Sequence, residues 1–339
     1  MTQVLLSADD RTGSLEIGGL IASETTPVPV GPRATSPRCA VVDLETRHLS
    51  ASAAQARMET FLHRPADQRA HKMDAGLRGN WAQEIEVLLR AGYKVAVICA
   101  FPDAGRRCHK GVVYIHDLPV LDSVFGNDPL NPQISSKPAE VLEHFGVRGD
   151  VVVWDANDNA DVLAGIQRAI RQDRVLVGAS GPLGMFANLF LSPGERRDLS
   201  LPGPVLVLCG SLNPLSRAQI QAVGEPIQYI GGQLEKRPVT LLATPLRSGR
   251  ITDQSAHETA QKMARAARSV WADYQSIMVI GGDTAGALIG EDTVETLGCV
   301  APGMPVSRYR EKTIVTKGGG IGQPGTIANL IGSSLERSK

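Results

Sequence analysis

The chain has 339 residues, and its 35 basic and 35 acidic side chains give a formal net charge of zero. This length is too great for one comfortable hydrophobic core and predicts two domains. The neutral balance excludes a basic field for nucleic acid or an anionic membrane, the N-terminus lacks the basic segment of a signal peptide, and no apolar run approaches the roughly 18 residues of a membrane span.

The cysteines and histidines show no metal-binding pattern. The five cysteines include no C-x-x-C pair, and four of them adjoin apolar runs typical of strands. Small buried thiols in a reducing cytoplasm are therefore predicted, with a catalytic or metal-bound cysteine as the alternative. The seven histidines lack H-x-x-x-H or similar spacing, so no zinc site is predicted.

Two adjacent carboxylates follow the first predicted strand, Val4 to Leu6. Asp9 and Asp10 lie in the segment ADDRTG, directly before a helical pattern. Carboxylates at the end of a buried strand must be solvated, paired or bound to a metal, which indicates a functional site. The structural alternative is that one of them caps the next helix.

Charged residues also follow the next two predicted strands. Cys39 to Asp43 reads as a second buried strand, and residues 70–74 give a short third element before the helix WAQEIEVLLR. In open α/β sheets ligands gather along the carboxyl edge, so such residues are expected to converge on a pocket for an anionic, hydroxyl-rich molecule. The candidates are Asp9, Asp10, Arg47, Lys72, Asp74 and Arg78. Taken singly, each would more often be a solvated surface charge.

Strands and helices alternate over roughly the first 190 residues. Tyr93 to Ala100 is the clearest strand, and VVVWD from Val151 precedes a helix over 159–171. This alternation predicts an α/β fold with a mostly parallel, doubly wound sheet. The segment LSPGERRDLSLPGP, rich in Pro, Gly and charge, indicates a linker. We therefore predict an N-terminal domain of residues 1–195, a linker over 196–204 and a smaller α/β domain over 205–339.

The C-terminal region contains two turns from a strand through glycine to a helix. Ile277 to Ile280 is an apolar run that breaks at Gly281-Gly282-Asp283-Thr284, and Thr313 to Lys317 runs into Gly318-Gly319-Gly320. Glycines let a backbone approach a bound group, and a helix start offers unpaired N–H donors. The pair predicts two sides of one nucleotide site, with Lys317 as a point charge near the phosphates. The alternative is two tight turns of an α/β fold.

Two common nucleotide motifs are excluded. Gly320, Gly322 and Gly325 satisfy G-x-G-x-x-G, but a dinucleotide fold needs a βαβ unit and an acidic residue about 20 positions later, and the remaining chain is too short. The chain also lacks G-x-x-x-x-G-K-[ST], so an ordinary P-loop is absent.

The ordered set of motifs resembles the four-carbon acid sugar kinase family, once described only as a domain of unknown function. The segments that carry the resemblance are ADDRTG, VVDLETRH, KMDAGLRGN, AFPDAGR, DPLNP (128–132), CGSLNP (209–214), GGDT and VTKGGGIG. The resemblance implies an N-terminal domain that binds a sugar acid and a C-terminal domain that binds ATP, with transfer between them.

Residue roles follow from the resemblance together with the chemistry of phosphoryl transfer, which asks mainly for positioning and charge neutralisation by Mg²⁺, Lys or Arg. Arg47, Lys72 and Arg78 are expected to fix the substrate carboxylate and hydroxyls. Either Asp10 or Asp74 would orient or deprotonate the attacking hydroxyl. The expected ATP-binding residues are Ser211, Asn213, Gly281, Gly282, Asp283, Thr284, Gly318, Gly319 and Gly320, with Lys317 in a catalytic role.

Departures from the family leave the substrate open. Ala75-Gly76 stands where the family usually has Ser-Thr, which removes two hydroxyls from the expected substrate wall, and the chain is shorter than usual between CGSLNP and GGDT. The prediction is an ATP- and Mg²⁺-dependent kinase for the terminal hydroxyl of threonate, erythronate or a 3-oxo-tetronate. The alternatives are a kinase of another polyhydroxy acid and a non-catalytic nucleotide- or sugar-acid-binding protein. A homodimer is compatible with the sequence, although no residue indicates it.

Overall fold

The computed structural model describes residues 2–123, 125–126, 133–192, 199–246 and 253–337. The chain divides into two compact units. The first comprises Met1–Ile21 and Pro29–Pro193, and the second comprises Ala22–Val28 and Gly194–Lys339. The DPLNP motif at 128–132 lies outside the described residues.

The first unit is built on a parallel sheet with helices between its strands. The strands in this part of the chain are β1 (Val4–Ala8), β2 (Val28–Val30), β3 (Cys39–Asp43), β4 (Gln68–Lys72), β5 (Lys94–Ile98), β6 (Arg106–His109), β7 (Val112–Ile115), β8 (Leu118–Pro119), β9 (Val151–Val153) and β10 (Arg174–Gly178). The helices are α1 (Arg11–Ile21), α2 (Ala51–Leu62), α3 (Trp81–Arg90), α4 (Pro138–His144), α5 (Asn159–Arg171) and α6 (Ser180–Asn188), with short 3-10 helices at Pro102–Ala104 and Val120–Asp122.

The parallel strands have the order β2-β3-β1-β4-β10-β5-β9. Strands β6, β7 and β8 form a separate antiparallel sheet. The segment VVYIHDLPVL (112–121) supplies two of these strands, β7 and β8. His116, with a φ of 53°, lies in the turn between them.

The second unit joins parallel and antiparallel strands. Its strands are β11 (Val205–Cys209), β12 (Ile227–Tyr229), β13 (Val239–Ala243), β14 (Ser276–Ile280), β15 (Val294–Ala301), β16 (Met304–Tyr309) and β17 (Lys312–Lys317). Its helices are α7 (Pro214–Gln221), α8 (Asp253–Ser269), α9 (Gly282–Ile289) and α10 (Thr326–Arg337), with a 3-10 helix at Trp271–Asp273. Strands β12-β13-β11-β14-β17 are parallel, and β17, β16 and β15 continue as an antiparallel meander.

The central strands are buried along their whole length. Every residue of β1, β3, β11, β13 and β14 is buried, which matches their continuous apolar sequences, because helices cover both faces of a parallel sheet. The predicted α/β class with a mostly parallel sheet is confirmed. Within the described residues, no helix is long and apolar enough to cross a bilayer.

A buried polar chain links three elements of the first unit. Ser7 Oγ lies 2.9 Å from His71 Nδ1, and His71 Nε2 lies 2.9 Å from Glu84 Oε2. These side chains resemble a hydrolase triad, but all three are at most 1% exposed. These two hydrogen bonds tie β1, β4 and α3 together, although Glu84 Oε1 is buried without a hydrogen-bond partner.

Candidate functional site

A charged cluster lies at the carboxyl edge of the parallel sheet in the first unit. Strand β1 lies between β3 and β4, and its last residue, Ala8, is in register with Asp43 on one side and Lys72 on the other. The residues that follow these strands therefore meet at one edge. All six predicted substrate residues belong to this cluster: Asp9, Asp10, Arg47, Lys72, Asp74 and Arg78.

Arg47 is the centre of the cluster. Its Nε donates to Asp9 Oδ2 at 2.8 Å, while Nη1 and Nη2 donate to the two Asp10 oxygens at 3.0 and 2.9 Å. Nη2 also lies 3.4 Å from Asp74 Oδ1. The Arg47 backbone N–H bonds to the Asp9 carbonyl at 3.1 Å, which fixes the start of the side chain. One largely buried guanidinium therefore holds three carboxylates.

Lys72 joins the same two aspartates from strand β4. Its ammonium donates to Asp9 Oδ1 at 2.8 Å and to Asp10 Oδ1 at 2.9 Å. Asp10 also accepts from the backbone N–H of Gly13 at 3.1 Å, as a helix N-cap does. Asp10 therefore both caps α1, as the structural alternative predicted, and belongs to the charged cluster. A Cβ at Gly13 would overlap the Lys72 ammonium, so a larger residue there would require the Lys72 and Asp10 side chains to move.

Asp74 and Arg78 form the outer part of the cluster. Arg78 donates to Asp74 through Nε and Nη2, both at 2.9 Å, and Asp74 also accepts from the Gly76 N–H at 3.0 Å. The Phe125 ring lies against the Arg78 guanidinium at 4.9 Å. A Cβ on Gly76 would lie 2.8 Å from that ring, so Phe125 occupies the space that a larger residue 76 would need.

The electrostatics shift the pKa values of these carboxylates in opposite directions. Burial acts to raise the pKa of Asp10, but Arg47 and Lys72 outweigh it and hold that pKa well below its ordinary value. Asp74 behaves in the same way, with Arg78 and Arg47 outweighing burial. For Asp9 burial prevails over both cations, and its pKa is raised. Asp10 and Asp74 are therefore ionised but weak bases.

Arg106 is a neighbouring residue that the sequence did not single out. It begins β6, and its guanidinium lies 5.7 Å from the Phe125 ring that also contacts Arg78. Among the described residues no acidic group pairs with it, and its buried Nε has no hydrogen-bond partner. The three cations of the cluster balance its three carboxylates, so Arg106 adds a positive charge that no carboxylate offsets.

A second candidate site lies at the carboxyl edge of the parallel strands in the second unit. Strands β11, β14 and β17 are neighbours, and the turns that follow them touch. Ser211 N–H bonds to the Ile280 carbonyl at 3.2 Å, and Gly281 N–H bonds to the Lys317 carbonyl at 2.9 Å. A Cβ on Gly319 would lie 2.6 Å from Ser211 Oγ. The two predicted glycine turns are thus brought together with the turn CGSLNP.

The glycine turns leave backbone donors free. Gly281 has a φ of 116°, which a side chain would resist, and α9 begins directly after it. The first-turn N–H groups of Gly282, Asp283 and Thr284 have no acceptor among the described residues, and the same holds for Gly319 and Gly320. Converging N–H groups at a helix start are suited to bind phosphate oxygens.

The other predicted ATP residues have defined places around these turns. Asn213 caps α7, with its Oδ1 accepting from the Leu215 N–H at 2.9 Å, and Ser211 Oγ accepts from the Asn213 N–H at 3.2 Å. Thr284 is buried, whereas Asp283 is exposed. Lys317 is fully buried, and its ammonium donates to loop carbonyls.

These residues fit a nucleotide with its magnesium ion. The free N–H groups match phosphate oxygens, and the glycines leave the room that side chains would fill. Within the described ranges, no group of three His, Cys, Asp or Glu side chains could hold a metal by itself. Mg²⁺ in kinases commonly uses one or two carboxylates together with substrate phosphates, and Asp283 is the carboxylate at this turn.

Comparison with known proteins identifies related sequences. A family model described as a sugar-binding N-terminal domain matches residues 4–148. A D-threonate kinase of Salmonella typhimurium strain LT2 is 24% identical over 418 aligned positions, with 97% of each chain covered. A 3-oxo-tetronate kinase of Methylobacterium radiotolerans is 26% identical, with 89% of this chain and 91% of that protein covered. This chain is therefore similar in sequence to proteins named as kinases of four-carbon sugar acids.

The resemblance predicted from the sequence is therefore confirmed, and the fold agrees with it. A crystal structure of a Haemophilus influenzae protein of the DUF1537 family superposes with a TM-score of 0.71 at 17% identity, covering 98% of this chain and 100% of that one. The 418 positions aligned with the Salmonella D-threonate kinase exceed the 339 residues of this chain. The relative therefore carries residues that this chain lacks.

Proposed function

We propose that this protein is an ATP-dependent kinase that phosphorylates the terminal hydroxyl of a small sugar acid of the threonate, erythronate or 3-oxo-tetronate type. The observation that carries the proposal is the set of free N–H groups at the glycine turns after β14 and β17. Such a set favours binding of a polyphosphate. The names of the relatives support the kinase class.

The first unit would hold the acid. Arg106 lies beside the cluster and has no carboxylate partner among the described residues, so it is suited to pair with a substrate carboxylate. Lys72 has one N–H left after its bonds to Asp9 and Asp10, and this donor can reach a substrate oxygen. Arg47 and Arg78 act mainly by fixing the aspartates.

Asp10 would orient the attacking hydroxyl rather than remove its proton. Its low pKa makes it a weak base, and four donors from Arg47, Lys72 and Gly13 already hold it in place. A loose phosphoryl-transfer transition state needs little proton removal before the bond to phosphorus forms. Asp74, which also has a lowered pKa, fits the same orienting role.

The second unit would hold ATP. The N–H groups of Gly282, Asp283, Thr284, Gly319 and Gly320 would bind the phosphates, with Ser211 beside them. Mg²⁺ would supply charge neutralisation between the phosphates, and Asp283 would help to hold it.

A second candidate substrate is an acid larger than the four-carbon compounds, and the residues beside Arg78 favour it. Phe125 fills the space beside Gly76, at the position where the family usually has a hydroxyl-bearing pair. An aromatic wall offers apolar contact instead of hydrogen bonds. A polyhydroxy acid with a less hydroxylated face toward Arg78 would therefore suit this site.

The test is coupled ADP release with Mg-ATP against four- to six-carbon aldonic and oxo-aldonic acids. We expect ADP with at least one acid, loss of that activity in Asp10→Ala and Asp283→Ala, and unchanged activity in the surface control Arg90→Met. Absence of ADP with every acid, in a protein that still binds ATP, would favour the non-catalytic binding protein instead.

A further inference from the structure

The buried ammonium of Lys317 has three hydrogen-bond acceptors around it. It lies 2.8 Å from the Gly318 carbonyl, 3.2 Å from the Gly319 carbonyl and 3.5 Å from Ser216 Oγ. A lysine ammonium has three N–H donors, so donors and acceptors match in number. The side chain therefore folds back beneath the second glycine loop instead of reaching out toward a ligand.

Helix α7 holds the same loop with two further buried side chains. Ser216 Oγ donates to the Gly319 carbonyl at 2.7 Å, and Gln219 Nε2 donates to the carbonyls of Ile321 and Gln323 at 3.0 and 2.9 Å. Ser216 and Gln219 are both fully buried. The loop carbonyls are thus satisfied from inside, which leaves the N–H groups of Gly319 and Gly320 for another acceptor.

Among the described residues the Lys317 ammonium has no carboxylate partner. The titratable group that faces it is the Cys209 thiol of β11, whose own pKa is raised by burial. Arg217 of α7 donates to Thr244, and Asp283 of α9 is exposed. A buried charge without a counter-charge is unfavourable, and proteins retain such groups mainly where they serve function.

We propose that Lys317 is a positioning residue that, with Ser216 and Gln219, holds the second glycine loop with its N–H groups outward, and that the nucleotide phosphates supply the missing counter-charge. This inference rests on the nucleotide-binding part of the proposed function. It changes the predicted role of Lys317 from direct phosphate contact to support of the loop from below.

A proton equilibrium follows from this arrangement. Burial lowers the pKa of Lys317 to about 8. When the ammonium loses its proton, a lone pair faces one of the three acceptors and the positive charge beneath the loop disappears. Bound phosphates favour the charged form and raise that pKa, so nucleotide binding above pH about 8 must take up a proton.

The test is titration calorimetry with ADP, without metal, at pH 8.5 in two buffers of different ionisation enthalpy. We expect wild-type protein to take up a proton with ADP but not with adenosine, which has no phosphate. Affinity for ADP should fall toward pH 9.5, by about tenfold for each unit by which ADP raises the pKa. Lys317→Met should lose the proton uptake, whereas Lys312→Met, at the other end of β17, should keep it.

The outcomes separate this inference from the kinase proposal. ADP binding without proton uptake, or equal uptake in Lys317→Met, would overturn the role of Lys317, and absence of ADP binding would overturn both proposals. Proton uptake in a protein that phosphorylates none of the acids would contradict only the kinase proposal.

If Lys317→Met fails to fold, Ser216→Ala provides the second variant: ADP affinity should fall several-fold while proton uptake remains. Unchanged affinity in that variant would count against support of the loop from α7.

Discussion

Replacing Arg47 with methionine should destabilise the first unit strongly. The substitution keeps much of the side chain's volume but removes the guanidinium that holds Asp9, Asp10 and Asp74. The Arg47 side chain is 11% exposed and the three partners 2–19%, so water cannot replace it fully. Breaking a buried ion pair in this way costs about 3–5 kcal/mol.

The loss should depend on pH with a defined sign. In the wild type, the pKa values of Asp10 and Asp74 lie below the unfolded value, so their stabilisation is present above pH about 4 and is lost as the pH falls further. Without Arg47, burial is offset less and these pKa values rise. As the pH falls, the aspartates of the variant take up protons, which removes the repulsion between their carboxylates. The difference in unfolding free energy between wild type and variant should therefore become smaller from pH 7 to pH 4.

The assay is urea unfolding followed by tryptophan fluorescence in a Trp271→Phe background, which leaves Trp81 and Trp154 in the first unit. The control is Arg90→Met, because Arg90 pairs with Glu59 on the surface and both side chains are about half exposed. That change should cost at most about 1 kcal/mol. A loss below about 1 kcal/mol for Arg47→Met at pH 7, or a gap that widens toward pH 4, would refute this account of the cluster.

Three further changes test the two sites. Gly319→Ala should weaken ADP binding about tenfold or more, as measured by calorimetry, because its Cβ would lie 2.6 Å from Ser211 Oγ. The control Gly286→Ala should bind ADP normally, because that position has open space around it. Asp283→Asn should raise the Mg²⁺ concentration needed for half-maximal ADP release while leaving metal-free ADP binding near the wild-type value. An unchanged magnesium requirement would show that Asp283 does not bind the metal. Phe125→Ala should widen the range of acids phosphorylated, since it opens the space beside the Arg78 guanidinium, and an unchanged acid profile would exclude Phe125 as a specificity residue.

The sequence determined the class of fold and indicated the sheet edges at which the candidate sites lie. Continuous apolar runs such as those of β1 and β14 are buried on both faces, and this pattern is legible because strand burial depends on local composition. The antiparallel meander of β15 and β16 was not predicted, because its pairing depends on contacts between distant residues.

The convergence of Asp9, Asp10, Arg47, Lys72, Asp74 and Arg78 was also predictable, because neighbouring parallel strands bring the residues beyond their carboxyl ends to one edge of the sheet. Their individual hydrogen bonds were not. Sequence patterns did not indicate that Asp10 both caps α1 and binds Arg47, or that Phe125 lies between Arg78 and Arg106.

Only the tertiary structure determined the direction of the Lys317 side chain. The sequence placed Lys317 beside a glycine loop and therefore near phosphate. In the folded unit, α7 brings Ser216 and Gln219 beneath the same loop, and the ammonium joins them in binding its carbonyls. A flexible side chain takes the direction that its surrounding acceptors set, and those acceptors come from residues about a hundred positions apart in the sequence.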